Sequence, residues 1–260
     1  MFVEPALKGS TAIFAFEGWD DAGESATTAL DFVNDTLKAV PLAELDSEIF
    51  YDFTVTRPEV ALDPDGRREI RWPSNLFRYG ALTGSVTDRA NNNELVTCIG
   101  AEPHLRWRCF CDCVSDVVKA VGVERVVLLG SYLADIVYSQ PVLVTGVASD
   151  STILERIGVK QSDYQGPTGI LGVLADRFDS DGIDVVSMWA GLPHYINACP
   201  NPRGALALVQ ALGDCLGLHF DLDPLDHAAA EFEERISKLV SRDPELRDYV
   251  KQLKRRDFAQ

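Results

Sequence analysis

Phe16-Glu17-Gly18-Trp19-Asp20-Asp21-Ala22-Gly23 joins an apolar run at residues 11–16 to a segment where Ala22, Ala26, Ala29, Leu30, Val33 and Leu37 recur at helical spacing. The run before it is rich in β-branched and aromatic residues, as strands are. The periodicity after it marks a helix with one apolar face. A Gly-containing turn between a buried strand and a helix is where open α/β sheets place their ligands. Most such turns cradle phosphate on bare backbone N–H groups. Here two carboxylates, Asp20 and Asp21, occupy the helix start and oppose phosphate. Asp20 most simply caps the helix, with Asp21 in its first turn complementing the helix dipole, each contributing about 0.3–1 kcal/mol. Placed at a helix N-terminus, both are expected to titrate below the usual carboxylate range.

Working outward, strand-like apolar runs recur at residues 48–53, 95–99, 125–129, 141–148 and 183–189. Helical stripes lie between several of them. Phe110, Cys113, Val114, Val117, Val118 and Val121 form the clearest; Ile170, Val173, Leu174 and Phe178 form another. A third, Ala205, Leu208, Leu212 and Cys215, is closed by Gly217 as a helix stop. Helices between continuously apolar strands predict a mostly parallel sheet covered on both faces. Residues 59–82 differ, because Asp65-Gly66 is a strong two-residue hairpin signal and predicts an antiparallel excursion. Beyond residue 222, Asp223-Pro224 and Asp243-Pro244 read as matching helix starts, Asp as N-cap and Pro in the first turn. The expected organisation is an α/β domain at 1–222 and a C-terminal helical hairpin at 223–260, packed on the body or on a neighbouring subunit.

The formal net charge of −16, from 40 acidic and 24 basic residues, repels nucleic acid and anionic membrane surfaces. From Arg242 to Gln260, six basic residues stand against four acidic ones, a net +2 on a body of −18. Residues 1–8 lack the basic and apolar regions of a secretory signal, and no stretch approaches the apolar length of a membrane span. A cytoplasmic protein is expected. The six cysteines form no C-x-x-C pair, and Cys111 points away from Cys109 and Cys113, so buried structural thiols are expected rather than a metal site.

Four polar turns follow strands that a parallel sheet aligns on one edge: 18–21, 100–104, 130–132 and 191–195. Together with Thr168 they nominate a crevice of Trp19, Asp20, Asp21, Glu102, His104, Ser131, His194 and Tyr195. Asp20, Asp21 and Glu102 form an acidic cluster that a cation or general-base chemistry could use, and His104 and His194 suit acid–base roles or plain loop bonding. No catalytic residue is assigned. Gly130-Ser131-Tyr132 is not a nucleophile elbow, and no Walker, H-E-x-x-H or dinucleotide motif occurs. No cofactor and no metal are expected. Residues 164–169, opening the helix at 170–178 with small residues and exposed N–H groups, form the one candidate anion cradle, unless that helix start is simply packed tight.

Gly18-Trp19-Asp20-Asp21-Ala22-Gly23, Glu102-Pro103-His104-Leu105-Arg106-Trp107, Tyr164-Gln165-Gly166-Pro167-Thr168-Gly169 and Trp189-Ala190-Gly191-Leu192-Pro193-His194-Tyr195 occur in an order that resembles the proteasome assembly chaperone 2 family, especially its actinobacterial branch. The resemblance spans nearly the whole chain. It implies a mixed, mostly parallel α/β fold similar to the phosphorylase/hydrolase-like proteins, flanked by helices and carrying the C-terminal helical hairpin. It also implies homo-oligomers, a trimer among them, and chaperoning of proteasome α-subunit assembly in eukaryotic and archaeal relatives. Two departures stand out. The last three residues, Phe258-Ala259-Gln260, lack the tyrosine of a hydrophobic-Tyr-any docking tail. Ile136-Val137-Tyr138-Ser139-Gln140-Pro141 replaces a Pro-His-Thr-Arg-Pro-like run. The reading that follows is a non-enzymatic, assembly-chaperone-like protein-binding module. Its alternative is a small-molecule enzyme or sensor for nucleoside-like or anionic ligands.

Overall fold

The computed structural model describes residues 9–82 and 94–257; residues 1–8 and the Phe258-Ala259-Gln260 ending lie outside these. The apolar run before the turn builds β1 (Ser10–Glu17), whose side chains alternate between two cores. Phe14 and Phe16 enter one core with Phe110, Leu174 and Phe178, while Ile13 and Ala15 enter the other with Leu30, Val33, Leu208 and Leu212. Phe14 is the aromatic hub of the first, with ring centroids 6.0 Å from Phe77 and 5.7 Å from Phe178.

The chain then runs α1 (Ser25–Leu37), β2 (Val40–Leu45), β3 (Glu59–Leu62), β4 (Arg68–Arg71), β5 (Asn75–Ala81), β6 (Glu94–Ala101) and α2 (Trp107–Ala120). It continues through β7 (Val123–Ala134), β8 (Val144–Ala148), α3 (Thr152–Arg156), β9 (Lys160–Gln161), α4 (Ile170–Ser180), β10 (Asp184–Pro193), α5 (Pro202–Leu216), α6 (Asp223–Arg242) and α7 (Pro244–Asp257). Eight strands form one sheet in the order β2-β5-β6-β1-β7-β10-β8-β9. Its centre, β6-β1-β7-β10, is parallel; β8 runs against β10, and β5 runs against both β6 and β2. Helices α2 and α4 cover one face, α1 and α5 the other. The expected mixed, mostly parallel sheet flanked by helices is the fold of this chain.

The Asp65-Gly66 turn closes the β3–β4 hairpin, with Gly66 at φ +77°, and this pair forms a separate two-stranded sheet. Residues 48–53, expected as a strand, are turns instead, closed by Phe50 and Tyr51 N–H bonds to Ser47 O. Their apolar side chains are buried nonetheless: Phe50 stacks edge-on with Phe110 at 5.3 Å, and the Tyr51 hydroxyl donates to Ala101 O at 2.5 Å. Gly217 ends α5 in the left-handed region, as expected.

At the C-terminus, Asp243 caps α7 through the Glu245 and Leu246 N–H groups at 2.9 and 3.1 Å. Asp223 is not the N-cap expected of it; it lies inside α6, and its own N–H bonds to Asp221 at 3.2 Å. Phe232, Ile236 and Val240 of α6 share a small core with Val250 and Leu253 of α7 and with Val137 of the body. The thiols are all free, but Cys109 and Cys199 are exposed rather than buried.

Candidate functional site

The turn after β1 places its two carboxylates on two different helices. Asp21, not Asp20, caps α1: its Oδ1 accepts from Ala26 N at 2.7 Å, and its Oδ2 accepts from the Thr27 hydroxyl. Asp20 turns across the sheet edge to α4, where its Oδ2 accepts from Leu171 N at 3.0 Å. Glu102, at the end of β6, joins it there by accepting from Ile170 N at 2.8 Å, and its other oxygen faces Trp19 N at 3.4 Å. The N-terminus of α4, the one candidate anion cradle, is therefore filled by the protein's own anions, in keeping with the packed helix start that the sequence also allowed. Gly169 makes this possible, since a Cβ there would stand 2.3 Å from Asp20 Oδ1.

Burial then reverses the expected direction of titration. Asp20 is 2% exposed, and loss of solvation raises its carboxyl to about 6. The backbone bonds from α4 lower it, while the neighbouring Glu102 raises it further. Asp21 is raised too, again chiefly by burial. Helix dipoles favour ionised carboxylates, but here desolvation is the larger effect.

The other nominated residues disperse along the edge. Ser131 is fully buried; its N–H bonds to Asp20 O at 2.8 Å and its hydroxyl to Ala22 O at 2.8 Å, tying the turn to β7. His104 anchors the 47–56 loop, accepting from Asp52 N on Nδ1 at 3.0 Å and meeting the Thr56 hydroxyl on Nε2 at 3.3 Å. His194, after β10, faces the Tyr249 hydroxyl and Asp135 Oδ1 at 2.9 Å each, and so holds α7. Its ring lies edge-on to Tyr195, whose hydroxyl donates to Ile136 O at 3.0 Å. With β1 and β7 between β6 and β10, roughly 14 Å of sheet separates the strands that lead to the two histidines. Thr168 is exposed and turns to Gly169 O at 3.4 Å. Trp19 is 69% exposed. The structure thus brings together Asp20, Glu102 and the start of α4, and separately Asp21 and Ser131. The two histidines belong to neither group.

The open space lies beside this ridge. A cleft of about 570 Å³ is lined by Glu17, Gly18, Asp21, Gly23, Glu24, Thr27, Thr28, Asp31, Ile99 and Cys199. Burial and the charges of Asp21, Glu24, Asp31 and Glu59 push Glu17 above the usual carboxylate range. Asp31 is likewise raised by burial, against an opposing pull from Arg78. Sequence reasoning missed Glu17, Glu24, Asp31 and Cys199. A partial signal existed in Thr28 and Asp31, which share one side of α1, with Glu24 just before the helix in a left-handed conformation. Among the described residues, no group of three or more His, Cys, Asp or Glu side chains is placed to hold a metal ion, and no helix is long and apolar enough to cross a membrane.

Fold and site together define a three-layer α/β protein whose strand-end carboxylates serve as helix caps beside an acidic cleft. The PAC2 family model matches residues 15–240, and the chain belongs to the PAC2 family. It is 36% identical to a PAC2 family protein of Streptomyces avermitilis, with a TM-score of 0.83 over 93% of this chain and 99% of that one. It is 35% identical to a proteasome-assembly chaperone homologue of Mycobacterium tuberculosis, with a TM-score of 0.81 over 92% of this chain and 99% of that one. The Pyrococcus furiosus proteasome activator PbaB shares the fold at 20% identity, with a TM-score of 0.72 over 92% and 96% of the two chains. No curated protein matches the chain in sequence.

Proposed function

We propose that this protein is a non-enzymatic, self-associating protein-binding module that assists assembly of a larger complex in the cytoplasm. One observation carries this reading. The side chains that strand-end chemistry would need (Asp20, Asp21, Glu102 and Ser131) bond to the protein's own backbone. Asp20 and Asp21 are taken up as helix caps and Glu102 and Ser131 as backbone ties, so the strand-end turns are held together rather than presented to a ligand. Family membership supports the reading, as does the similarity to a proteasome-assembly chaperone homologue of Mycobacterium tuberculosis, which makes the proteasome a complex worth testing. Proteasome α-subunits from the same organism, assembled with and without equimolar protein, are the direct test. Faster ring formation on native gels supports the module. An unchanged rate, with no complex between the two proteins, sinks it.

A small-molecule reading rests on the cleft alone, whose volume falls within the roughly 300–1,000 Å³ of ligand pockets. Its carboxylate lining selects against the anionic ligands expected from sequence and for cationic or neutral ones. Thermal-shift screening with nucleosides, polyamines and divalent ions tests it. A shift present in wild type and lost in Glu24→Ala plus Asp31→Ala would displace the module reading.

A further inference from the structure

The β3–β4 hairpin is an element without a core of its own. A two-stranded hairpin alone is marginal in water, and this one stands outside the main sheet. Its register pairs Val60 with Ile70 and Leu62 with Arg68, so these four side chains share one face. Glu59, Ala61, Glu69 and Arg71 take the other. Val60, Leu62 and Ile70 are 61%, 64% and 53% exposed, and Trp72, next in the alternation, is 53% exposed. Charge is segregated along with hydrophobicity. Both strand carboxylates lie on the far face, where Glu69 pairs with Arg71 at 2.8 Å, while Arg68 stands among the apolar side chains. Among the described residues Arg68 makes no ion pair.

The cleft has the complementary character. Glu17, Asp21, Glu24 and Asp31 line it, and none of the four forms an ion pair among the described residues. Trp19, the residue after Gly18 of its wall, stands exposed beside it. An apolar face bearing one cation therefore matches an acidic cleft with an apolar neighbour. A guanidinium set among apolar anchors is the composition of an interface centre.

We infer that the Val60–Leu62–Ile70 face docks on a second copy of this chain, with Arg68 seated against Glu17 and Glu24 of that copy's cleft. Hairpin and cleft lie near each other on one chain, since the Glu59 charge reaches Glu17, so two copies can exchange the contact reciprocally in a two-fold dimer or pass it around a closed ring. The inference rests on the self-association reading above and names its surface.

Light scattering across a protein dilution series, with circular dichroism as the folding control, tests it. Wild type is expected to self-associate. Ile70→Glu, at an exposed position, should weaken association at least about 30-fold, the scale of a lost interface anchor, while leaving the monomer's melting unchanged. Val60→Glu serves as the second variant. Arg68→Glu should dissociate the assembly, and Arg68→Glu combined with Glu24→Arg should restore it. A wild-type monomer at every concentration overturns both the self-association reading and this one. An assembly that survives Ile70→Glu and Val60→Glu overturns the surface while leaving self-association intact. Dissociation by those variants without restoration by the charge swap overturns the seat in the cleft.

Discussion

At Asp20, burial and helix electrostatics oppose each other most directly. Its carboxylate receives N–H bonds from Gly169 and Leu171, yet its pKa rises to about 6 because solvent is excluded. A folded-state value above the unfolded value of about 3.9 means that the folded protein holds the proton more tightly. Asp20 therefore favours folding below about pH 4, and that contribution is lost as pH rises through 6. Urea unfolding of wild type between pH 4 and 7 should show this loss, and Asp20→Asn, which keeps an acceptor without the charge, should remove up to about 3 kcal/mol of it. Identical pH slopes in the two proteins would show that burial does not set this carboxyl. The same site predicts a steric effect. Gly169→Ala drives a Cβ to 2.3 Å from Asp20 Oδ1, a clash that should cost more than about 2 kcal/mol. In a double-mutant cycle, Asp20→Ala should relieve part of that cost. Purely additive losses would refute the contact. None of this was readable from spacing, since Asp20 and Leu171 stand 151 positions apart.

At the scale of elements, legibility followed the strength of local pattern. The α2 stripe, the Gly217 stop and the Asp65-Gly66 hairpin are each set by neighbours within a few positions, and all three formed. Strand β2 escaped notice because it presents half-exposed residues at the sheet margin and Pro41 interrupts it, while β5 fell inside the expected antiparallel excursion without being delimited. Residues 48–53 misled for the opposite reason, since Phe50 and Tyr51 are buried as a strand's would be while the backbone turns. Burial shapes the apolar pattern, and backbone hydrogen bonding is decided elsewhere. The C-terminal helices show a legible cap with a measurable consequence. Asp243 satisfies two orphan N–H groups of α7, so Asp243→Ala should cost about 1 kcal/mol. Leu253, 1% exposed between the helices, should cost about 2–4 kcal/mol as Leu253→Ala. Hydrogen exchange read on the α7 amides should show both losses, with β1 and β7 amides unchanged. Equal loosening of the central strands would mean that α7 is fully coupled to the sheet core.

Across the whole molecule, the net charge of −16 was legible at once, but its placement was not. The sequence pointed to a crevice at the strand ends, where carboxylates proved to be caps. The unpaired acid gathered instead along the start of α1, facing the end of β1 across the cleft. Like charges held there repel one another in the folded state more than in the expanded chain, so they destabilise the fold. Between 0.01 and 1 M salt the screening length falls from about 30 Å to about 3 Å, which removes most of that repulsion between exposed groups. The melting temperature should therefore rise with sodium chloride. Measured in the Ile70→Glu background, the rise reports on the fold and not on self-association. Glu17→Gln together with Glu24→Gln should raise the melting temperature at low salt and shrink the salt dependence. A control pair such as Glu155→Gln with Glu245→Gln, away from the cleft lining, should change both less. If the cleft pair and the control pair flatten the salt response equally, the destabilising field belongs to the surface as a whole. If the melting temperature falls with salt in every variant, favourable ion pairs such as Lys119–Asp181 at 2.8 Å dominate the electrostatics instead.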